Sequence, residues 1–263
     1  MVSKNADATD ILVVVAHPDD ESFGCGSTIA YAASRGARIS VCCATFGEAG
    51  QLAEGVDLGG RKLAAVRAEE LRQATHILGA RCVEPLNLLD SGWDGPPPDG
   101  SLCGIPNGDL VDKIAVVIAE HRPSVVLTLA GDDGHRDHLR LAGATEAAFN
   151  RSAGVDASLY RWCLPNDLMQ RWAEEMTALR PDTAHLALEI ANLGTPRADC
   201  TTVLDTSPFL MQRREAVAAH HTQTSPYEGL SADLAVAFLT EDYLVRVAGG
   251  RAATDAGIRF FGP

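Results

Sequence analysis

Ile11-Leu12-Val13-Val14-Val15 is an unbroken apolar, largely β-branched run that leads directly into Ala16-His17-Pro18-Asp19-Asp20-Glu21. A strand apolar at every position, not at alternate ones, fits the centre of a parallel sheet covered on both faces. Open parallel sheets gather their ligands beyond the carboxyl ends of the strands, which is where the His-Pro-Asp-Asp-Glu segment falls. Pro18 biases His17 toward an extended backbone. One imidazole and three carboxylates within five residues are costly to bury unless a cation compensates them.

The same alternation continues outward from this stretch. Gly26 to Gly36 reads as a helix and Arg38–Phe46 as a second strand. Arg61 to Gly79 places Leu63, Val66, Leu71, Ala74 and Leu78 on one helical stripe, with Gly79 as its C-terminal stop. Cys82–Leu89 reads as a third strand. Asp90 to Gly108, rich in Gly, Pro and Asp, is too long for a simple connection and is expected to form a functional flap or rim. Leu110–His121 is expected to be helical, and Ser124–Leu129 is another wholly apolar strand. Beyond Tyr160 the pattern predicts a short strand to Leu164, a helix over Leu168–Leu179 and strands at Leu186–Ile190 and Thr201–Leu204. A helix over Pro208–His221 and a last strand near Tyr243–Val247 follow. Short apolar runs alternating with amphipathic stretches predict an α/β, Rossmann-like fold with a mostly parallel sheet flanked by helices. The economical division is one domain over residues 1–263: a core of about 10–150, and a C-terminal elaboration (151–263) completing sheet and pocket.

A second cluster, Gly131-Asp132-Asp133-Gly134-His135-Arg136-Asp137-His138, follows the strand Ser124–Leu129. In a parallel sheet the two clusters can face one edge. Histidine and carboxylate together suit a divalent ion, zinc foremost, with another such as Fe2+ also compatible. Surplus carboxylates and histidine would then serve as general base and acid. Each cluster alone has a plain structural reading, a capped turn for His-Pro-Asp and a helix start for Asp137. Two such clusters after two core strands favour the metal site.

Composition narrows the remaining classes. Lys and Arg number 22 against 35 Asp and Glu, a formal charge of -13, which disfavours nucleic acid and anionic membrane surfaces as partners. No apolar run approaches a membrane span, and the polar start Met1 to Asp10 lacks a signal-peptide core. Seven cysteines, an odd number without a C-x-x-C pair, predict free thiols and a cytoplasmic protein. Association of copies of the chain stays open. A dinucleotide-binding reading is weak, because Gly24-x-Gly26 meets Ile29 where a third glycine should stand.

Several segments resemble one family, the LmbE-like zinc N-deacetylases, which include GlcNAc-phosphatidylinositol de-N-acetylases and the deacetylases of mycothiol and bacillithiol biosynthesis. They are His17-Pro18-Asp19-Asp20-Glu21, Gly24-Cys25-Gly26, Thr45-Phe46-Gly47-Glu48-Ala49-Gly50 and His135-x-Asp137-His138. Arg67-x-x-Glu70-Leu71, Asp90-Ser91-Gly92, Arg122 to Leu127 and Ala219-His220-His221-Thr222-Gln223 extend the likeness. The resemblance implies that His17, Asp20 and His138 bind zinc and that Asp19 is the general base. It implies that His135 stabilises the oxyanion and protonates the leaving amine, oriented by Asp137. The implied substrate is a small GlcNAc-containing conjugate whose N-acetyl or other N-acyl group is removed. An amidase acting on a larger thiol or antibiotic-type conjugate, and a non-catalytic metal- or sugar-binding module, are the alternatives. Arg136 stands where the family usually has Pro, and Gly26-Ser27 replaces a common Gly-Gly.

Glu48, Arg67 and Asp90 lie near strand ends or helix starts and are candidates to hold sugar hydroxyls. Arg67 and Glu70 could equally be an ordinary surface pair. His220 reads either as support for the site or as a cation at a helix C-terminus. Trp93 would stack on a sugar or anchor its loop. His76, His121 and His185 have no ligand-spaced partners and read as structural or exposed.

Overall fold

The computed structural model describes residues 9–154, 156–181 and 189–249. Five strands run parallel: β1 (Asp10–Val15), β2 (Arg38–Cys43), β3 (Arg81–Cys82), β4 (Val125–Leu129) and β5 (Ser158–Cys163). β6 (Thr202–Asp205) and β7 (Glu241–Gly249) extend the sheet, with β7 antiparallel to both neighbours. The order is β3-β2-β1-β4-β5-β7-β6. The helices are α1 (Asp20–Phe23), α2 (Gly26–Ser34), α3 (Leu63–Ile77), α4 (Asn107–His121), α5 (Arg136–Ser152), α6 (Asn166–Leu179), α7 (Leu210–Ala219) and α8 (Ala232–Thr240). The α/β, Rossmann-like reading therefore holds, with the C-terminal part supplying the antiparallel edge.

Leu12, Val13, Val14 and Val15 are at most 1% exposed, so helices cover both faces of β1, as its uninterrupted apolar run demands. From β1 the chain moves to β2 and β3 on one side and later to β4 and β5 on the other. The loops leaving β1 and β4 therefore open a crevice at the point where the strand order reverses. The one polar side chain inside β4 is satisfied, since Thr128 Oγ1 donates to the Val14 carbonyl at 2.9 Å.

Several elements depart from expectation. The third strand, expected over Cys82–Leu89, is regular only at Arg81–Cys82. Beyond it Val83, Leu86 and Leu88 donate to Val41, Cys43 and Ala44 at irregular intervals. The expected loop ends earlier, because α4 already starts at Asn107. The loop doubles back on itself through a bridge between Leu89 and Ser101 and buries Leu102. Of the strand expected at Leu186–Ile190, residues 186–188 lie outside the described residues, and Ile190 opens a short 3-10 turn. The periodicity also missed α8, whose Ala-rich sequence carries little stripe contrast, and the single turn α1. All seven cysteines are free, and burial pushes the Cys42 thiol up to about 12. Among the described residues no helix is long and apolar enough to cross a membrane.

One buried charge ties the C-terminal part to the crevice. Arg213 of α7 is fully buried and donates through Nε to the Ser22 carbonyl (3.1 Å) and through Nη2 to that of Phe23 (2.5 Å). Its Nη1 reaches the Phe238 carbonyl (3.1 Å) and Asp242 Oδ1 (2.8 Å). Asp242 Oδ2 in turn accepts from the backbone and hydroxyl of Thr28 at 2.7 and 2.6 Å. Removing one member of a buried ion pair strands the other. Arg213→Met is therefore expected to cost roughly 3–5 kcal/mol and to lower Tm by roughly 6–20 °C. Arg214→Met, at the exposed neighbouring position, should change stability by less than about 0.5 kcal/mol. Thermal and urea denaturation of both variants checks this, and equal losses would refute it.

Candidate active site

The β1 loop sets two adjacent aspartates apart. Asp20 Oδ2 accepts from the backbone N–H groups of Ala16 and His17, both at 2.9 Å, which turns its carboxylate back under the loop. Asp19 caps α1 in a left-handed conformation (φ 143°, ψ −29°) that a non-glycine residue adopts only when its surroundings force it. The Asp19 N–H donates to Oε2 of the completely buried Glu21 at 3.1 Å. Glu21 Oε1 is held by Ser22 Oγ (2.6 Å) and His220 Nε2 (2.7 Å). His220 is 1% exposed at the end of α7, so it braces the site from behind and is not a solvated cation on a helix dipole. Burial first, and the Asp20 charge second, lift the Asp19 pKa to about 7, against the pull of His220 and His17.

The two loops bring their histidines into contact. His17 Nδ1 and His138 Nε2 lie 3.2 Å apart. Asp20 Oδ1 lies 3.2 Å from His138 Nε2, and its Oδ2 lies 3.9 Å from His17 Nδ1. The far nitrogen of each ring faces a carboxylate: His17 Nε2 meets Asp137 Oδ2 at 3.2 Å, and His138 Nδ1 meets Asp133 Oδ2 at 2.5 Å. A carboxylate on one ring nitrogen fixes the proton there and leaves the other nitrogen as a lone-pair donor. Both lone pairs then converge beside Asp20. By mutual distance among the described residues, the groups close enough to share an ion through one donor atom each are His17 with His135 and His138, and His17 with Asp90 and Asp137, with Asp20 in neither. The second would use His17 Nε2, which already serves Asp137.

The charge balance agrees with a cation site. Burial disfavours a charged His17, yet Asp137, Asp90 and Asp20 outweigh it and raise its pKa to about 10. His138 is raised likewise by Asp133 and Asp20 against its own burial. Protons on facing ring nitrogens would repel each other, whereas one divalent ion satisfies both rings and the surplus carboxylates. Two imidazole nitrogens and a carboxylate are a donor set for zinc or a similar ion.

His135 sits beside this cluster, its ring 4.7 Å from those of both His17 and His138. Its Nδ1 accepts the Asp137 backbone N–H at 3.2 Å, at the start of α5, so a neutral ring carries its proton on Nε2. Burial and the neighbouring His17 and His138 charges lower its pKa to about 4. The sequence reading gave Asp137 the task of orienting His135. The structure does this with the Asp137 backbone, while the fully buried carboxylate takes His17, the Ser91 N–H (3.0 Å) and the Cys103 thiol (3.1 Å).

Above the cluster lies a cavity of about 390 Å³ lined by His17, Asp19, Asp20, His135 and His138, and also by Arg67, Asp90 and Trp93. Arg67 and Glu70 are both 2% exposed, so the surface-pair reading fails. The Arg67 guanidinium donates to the Gly47 and Gln51 carbonyls inside a loop that wraps it closely. A Cβ on Gly50 would stand 2.4 Å from Arg67 Nη1, so a side chain there would push the guanidinium from its place. Glu70 anchors the segment after α7 through the Thr222 backbone (2.9 Å) and hydroxyl (2.7 Å). Asp90 reaches the cavity 3.6 Å from His17 Nε2. Glu48 is not among the lining residues; its Oε1 accepts the Asp90 N–H at 3.0 Å and braces that loop.

Arg136, the departure noted in the sequence, has a definite task. It donates to the carbonyls of Gly92 (2.7 Å), Asp94 (3.0 Å) and Gly95 (2.6 Å), clamping the turn that carries Trp93. The Trp93 ring stands edge-on to His135 with centroids 4.9 Å apart. His76 is exposed, His121 is half-buried, and neither lines the cavity; His185 lies outside the described residues. Sequence reasoning missed Asp133, Glu21 and Arg213 as individual contributors. Asp133 and Glu21 carried a signal, their places in the loops after β4 and β1, and Arg213 carried none.

Comparison with known proteins agrees with this geometry. Residues 12–149 match the GlcNAc-PI de-N-acetylase (PIG-L) family. The chain is 32% identical to the 1D-myo-inositol 2-acetamido-2-deoxy-alpha-D-glucopyranoside deacetylase of Rhodococcus jostii (strain RHA1), with 94% of each protein covered. Among solved structures it is similar to the N,N'-diacetylchitobiose deacetylase of Pyrococcus horikoshii (TM-score 0.61, 16% identity), covering 92% of this chain and 84% of that one. It is also similar to GalB, a 4-carboxy-2-hydroxymuconate hydratase from Pseudomonas putida KT2440 (TM-score 0.59, 18% identity, 92% and 97% covered). Since the fold alone serves a hydratase as well, the sequence match and the paired aspartate–histidine loops decide the matter: the chain belongs to the GlcNAc-PI de-N-acetylase family.

Proposed function

We propose that the protein is a zinc-dependent hydrolase that removes an N-acyl group from a small GlcNAc-type conjugate. The carrying observation is the division between neighbouring aspartates: Asp20 faces the two histidines, while Asp19 lines the cavity with a pKa near 7. A metal-binding module has no use for the second, strained carboxylate. In this reading His17, Asp20 and His138 hold the metal, as the convergence of their lone pairs supports. When bound, the metal supplies Lewis acidity to the amide carbonyl and makes an attacking water more acidic.

The chain's own groups complete the reaction. Asp19 accepts the proton of the attacking water; a base whose pKa lies near the working pH does this well. His135, held neutral with its proton on Nε2, donates a hydrogen bond to the carbonyl oxygen as negative charge builds there. A neutral imidazole is a poor acid, so protonated Asp19 returns its proton to the amine as the C–N bond breaks. Proton delivery thus moves from His135, where the family resemblance put it, to Asp19. Arg67 and Asp90 are placed to take sugar hydroxyls, with Glu48 holding Asp90 in position.

Two sets of variants test this reading. Asp19→Asn should retain zinc and lose about 10²–10⁴-fold in turnover, whereas Asp20→Asn and His138→Ala should lose zinc on dialysis. Metal analysis together with free-amine release from N-acylated amino sugars reads both, and full activity in Asp19→Asn would overturn the mechanism. Arg136→Ala should leave the zinc content intact and raise KM roughly tenfold, about the worth of one charge-assisted hydrogen bond. Arg136→Lys should recover little, since one ammonium cannot hold three carbonyls in the geometry a guanidinium does. An unchanged KM in both would show that the clamp does not set the substrate site.

A further inference from the structure

The cavity is divided chemically at β1. Toward β2 and β3 its wall is made of Gly47, Gly50, Arg67 and Asp90, rich in groups that hold hydroxyls. Past Leu129, at the end of β4, the wall becomes Trp162, Leu164, Met169, Trp172 and Phe238. Trp162 approaches closely only because Gly24 has no side chain: a Cβ there would stand 2.3 Å from the indole Nε1. The polar atoms of two further aromatics are engaged elsewhere. Trp172 Nε1 donates to the Pro226 carbonyl at 2.9 Å, and the Tyr227 hydroxyl donates to the Phe23 carbonyl. Tyr227 then packs its ring on Phe238 with centroids 5.6 Å apart. A sugar face could stack on these rings, but its hydroxyls would find few partners among the five, whereas hydrocarbon would gain along the whole wall.

The metal cluster lies between the two halves, so an amide held there points its nitrogen substituent one way and its acyl group the other. An amino sugar carries its hydroxyls on the nitrogen side, which matches Arg67 and Asp90. The acyl group then faces the apolar wall. We infer that this wall is an acyl subsite and that the substrate carries an N-acyl group longer than acetyl, aliphatic or aryl. The inference rests on the N-deacylase reading above.

The test uses the full chain loaded with zinc. Free-amine release is followed for N-acetyl, N-butanoyl, N-hexanoyl, N-octanoyl and N-phenylacetyl glucosamine, and in parallel for methyl, hexyl and octyl glycosides of N-acetylglucosamine. Burial of each methylene is worth at most about fourfold. kcat/KM is therefore expected to rise at least about tenfold from acetyl to hexanoyl, and to change by less than about threefold along the glycosides. Binding of octanoate against acetate, followed by tryptophan fluorescence, reads the subsite without turnover, and octanoate should bind at least about tenfold tighter. Leu164→Trp fills the compartment and should cut the hexanoyl-to-acetyl ratio; far-UV circular dichroism verifies its fold, and the wild-type series stands without it. A preference that follows the glycoside chain instead would assign the wall to the aglycone and overturn the inference, as would flat profiles in both series. Preferred octanoate binding without hydrolysis of any amide would uphold the subsite while refuting the N-deacylase reading. Neither hydrolysis nor preference would refute both.

Discussion

The site depends on a buried guanidinium far from the chemistry. α1 is one turn long, too short to persist by its own hydrogen bonds. Without α7, the carbonyl of Ser22 in its last turn would lack a partner and that of Phe23 would have the Tyr227 hydroxyl alone. Arg213 supplies those partners from a residue 190 positions away, and Asp242 keeps the guanidinium from being an unpaired charge in the core. Asp19 and Asp20 stand at the other end of that same turn. Buried ion pairs contribute little net stability compared with apolar replacements, but this one fixes where the aspartates stand. The segment beyond residue 150 is thus a structural condition for the loop after β1, not an attachment to a finished core.

A second constraint is electrostatic and orders the histidines. Asp137 and Asp133 each take one nitrogen of a ring and leave the other directed inward. With both rings neutral, the result is two lone pairs and a carboxylate around one point, assembled from loops that leave neighbouring parallel strands. His135 belongs to the same loop but answers to a backbone N–H, which cannot accept a proton and so cannot favour the charged ring. Three neighbouring histidines therefore acquire different proton affinities: surrounding carboxylates raise His17 and His138 against their burial, while burial and those two charges lower His135.

Much of this was legible in the sequence because it is local. Ile11–Val15 and Ser124–Leu129 read as buried strands from their apolar runs, and the strand-end rule put His17, Asp19, Asp20, His135, Asp137 and His138 at one edge. What was illegible is long-range. Nothing in Gln212-Arg213-Arg214-Glu215 separates the buried arginine from its exposed neighbour, since both are spaced like surface charges. For Arg67, a sugar contact and half of a helical surface pair read equally well, because the loop that buries it, 47–51, is joined to it only by the fold. His220 was underrated for the same reason: its partner Glu21 is 199 residues away. The β3 region was overextended because apolar composition cannot distinguish a paired strand from an irregular segment lying along a sheet.

The division of the cavity follows from where the strand order reverses. Residues on the β2 and β3 side come early in the chain, and those on the β5 side come late, so the two walls can change independently. Residues 12–149, which match the family, contain His17, Asp20 and His138 together with Asp19, His135, Arg67 and Asp90. Trp162, Leu164, Met169, Trp172 and Phe238 all lie beyond that span. In the proposed reaction the cluster, Asp19 and His135 are needed whatever the acyl group is, because the charge that develops sits on the carbonyl oxygen and the nitrogen, while Arg67 and Asp90 answer to the sugar. Acyl recognition needs only complementary apolar surface, which makes no demand on the proton-transfer groups. A chain built this way can alter what it deacylates by repacking the walls after β4 while leaving the reacting geometry untouched.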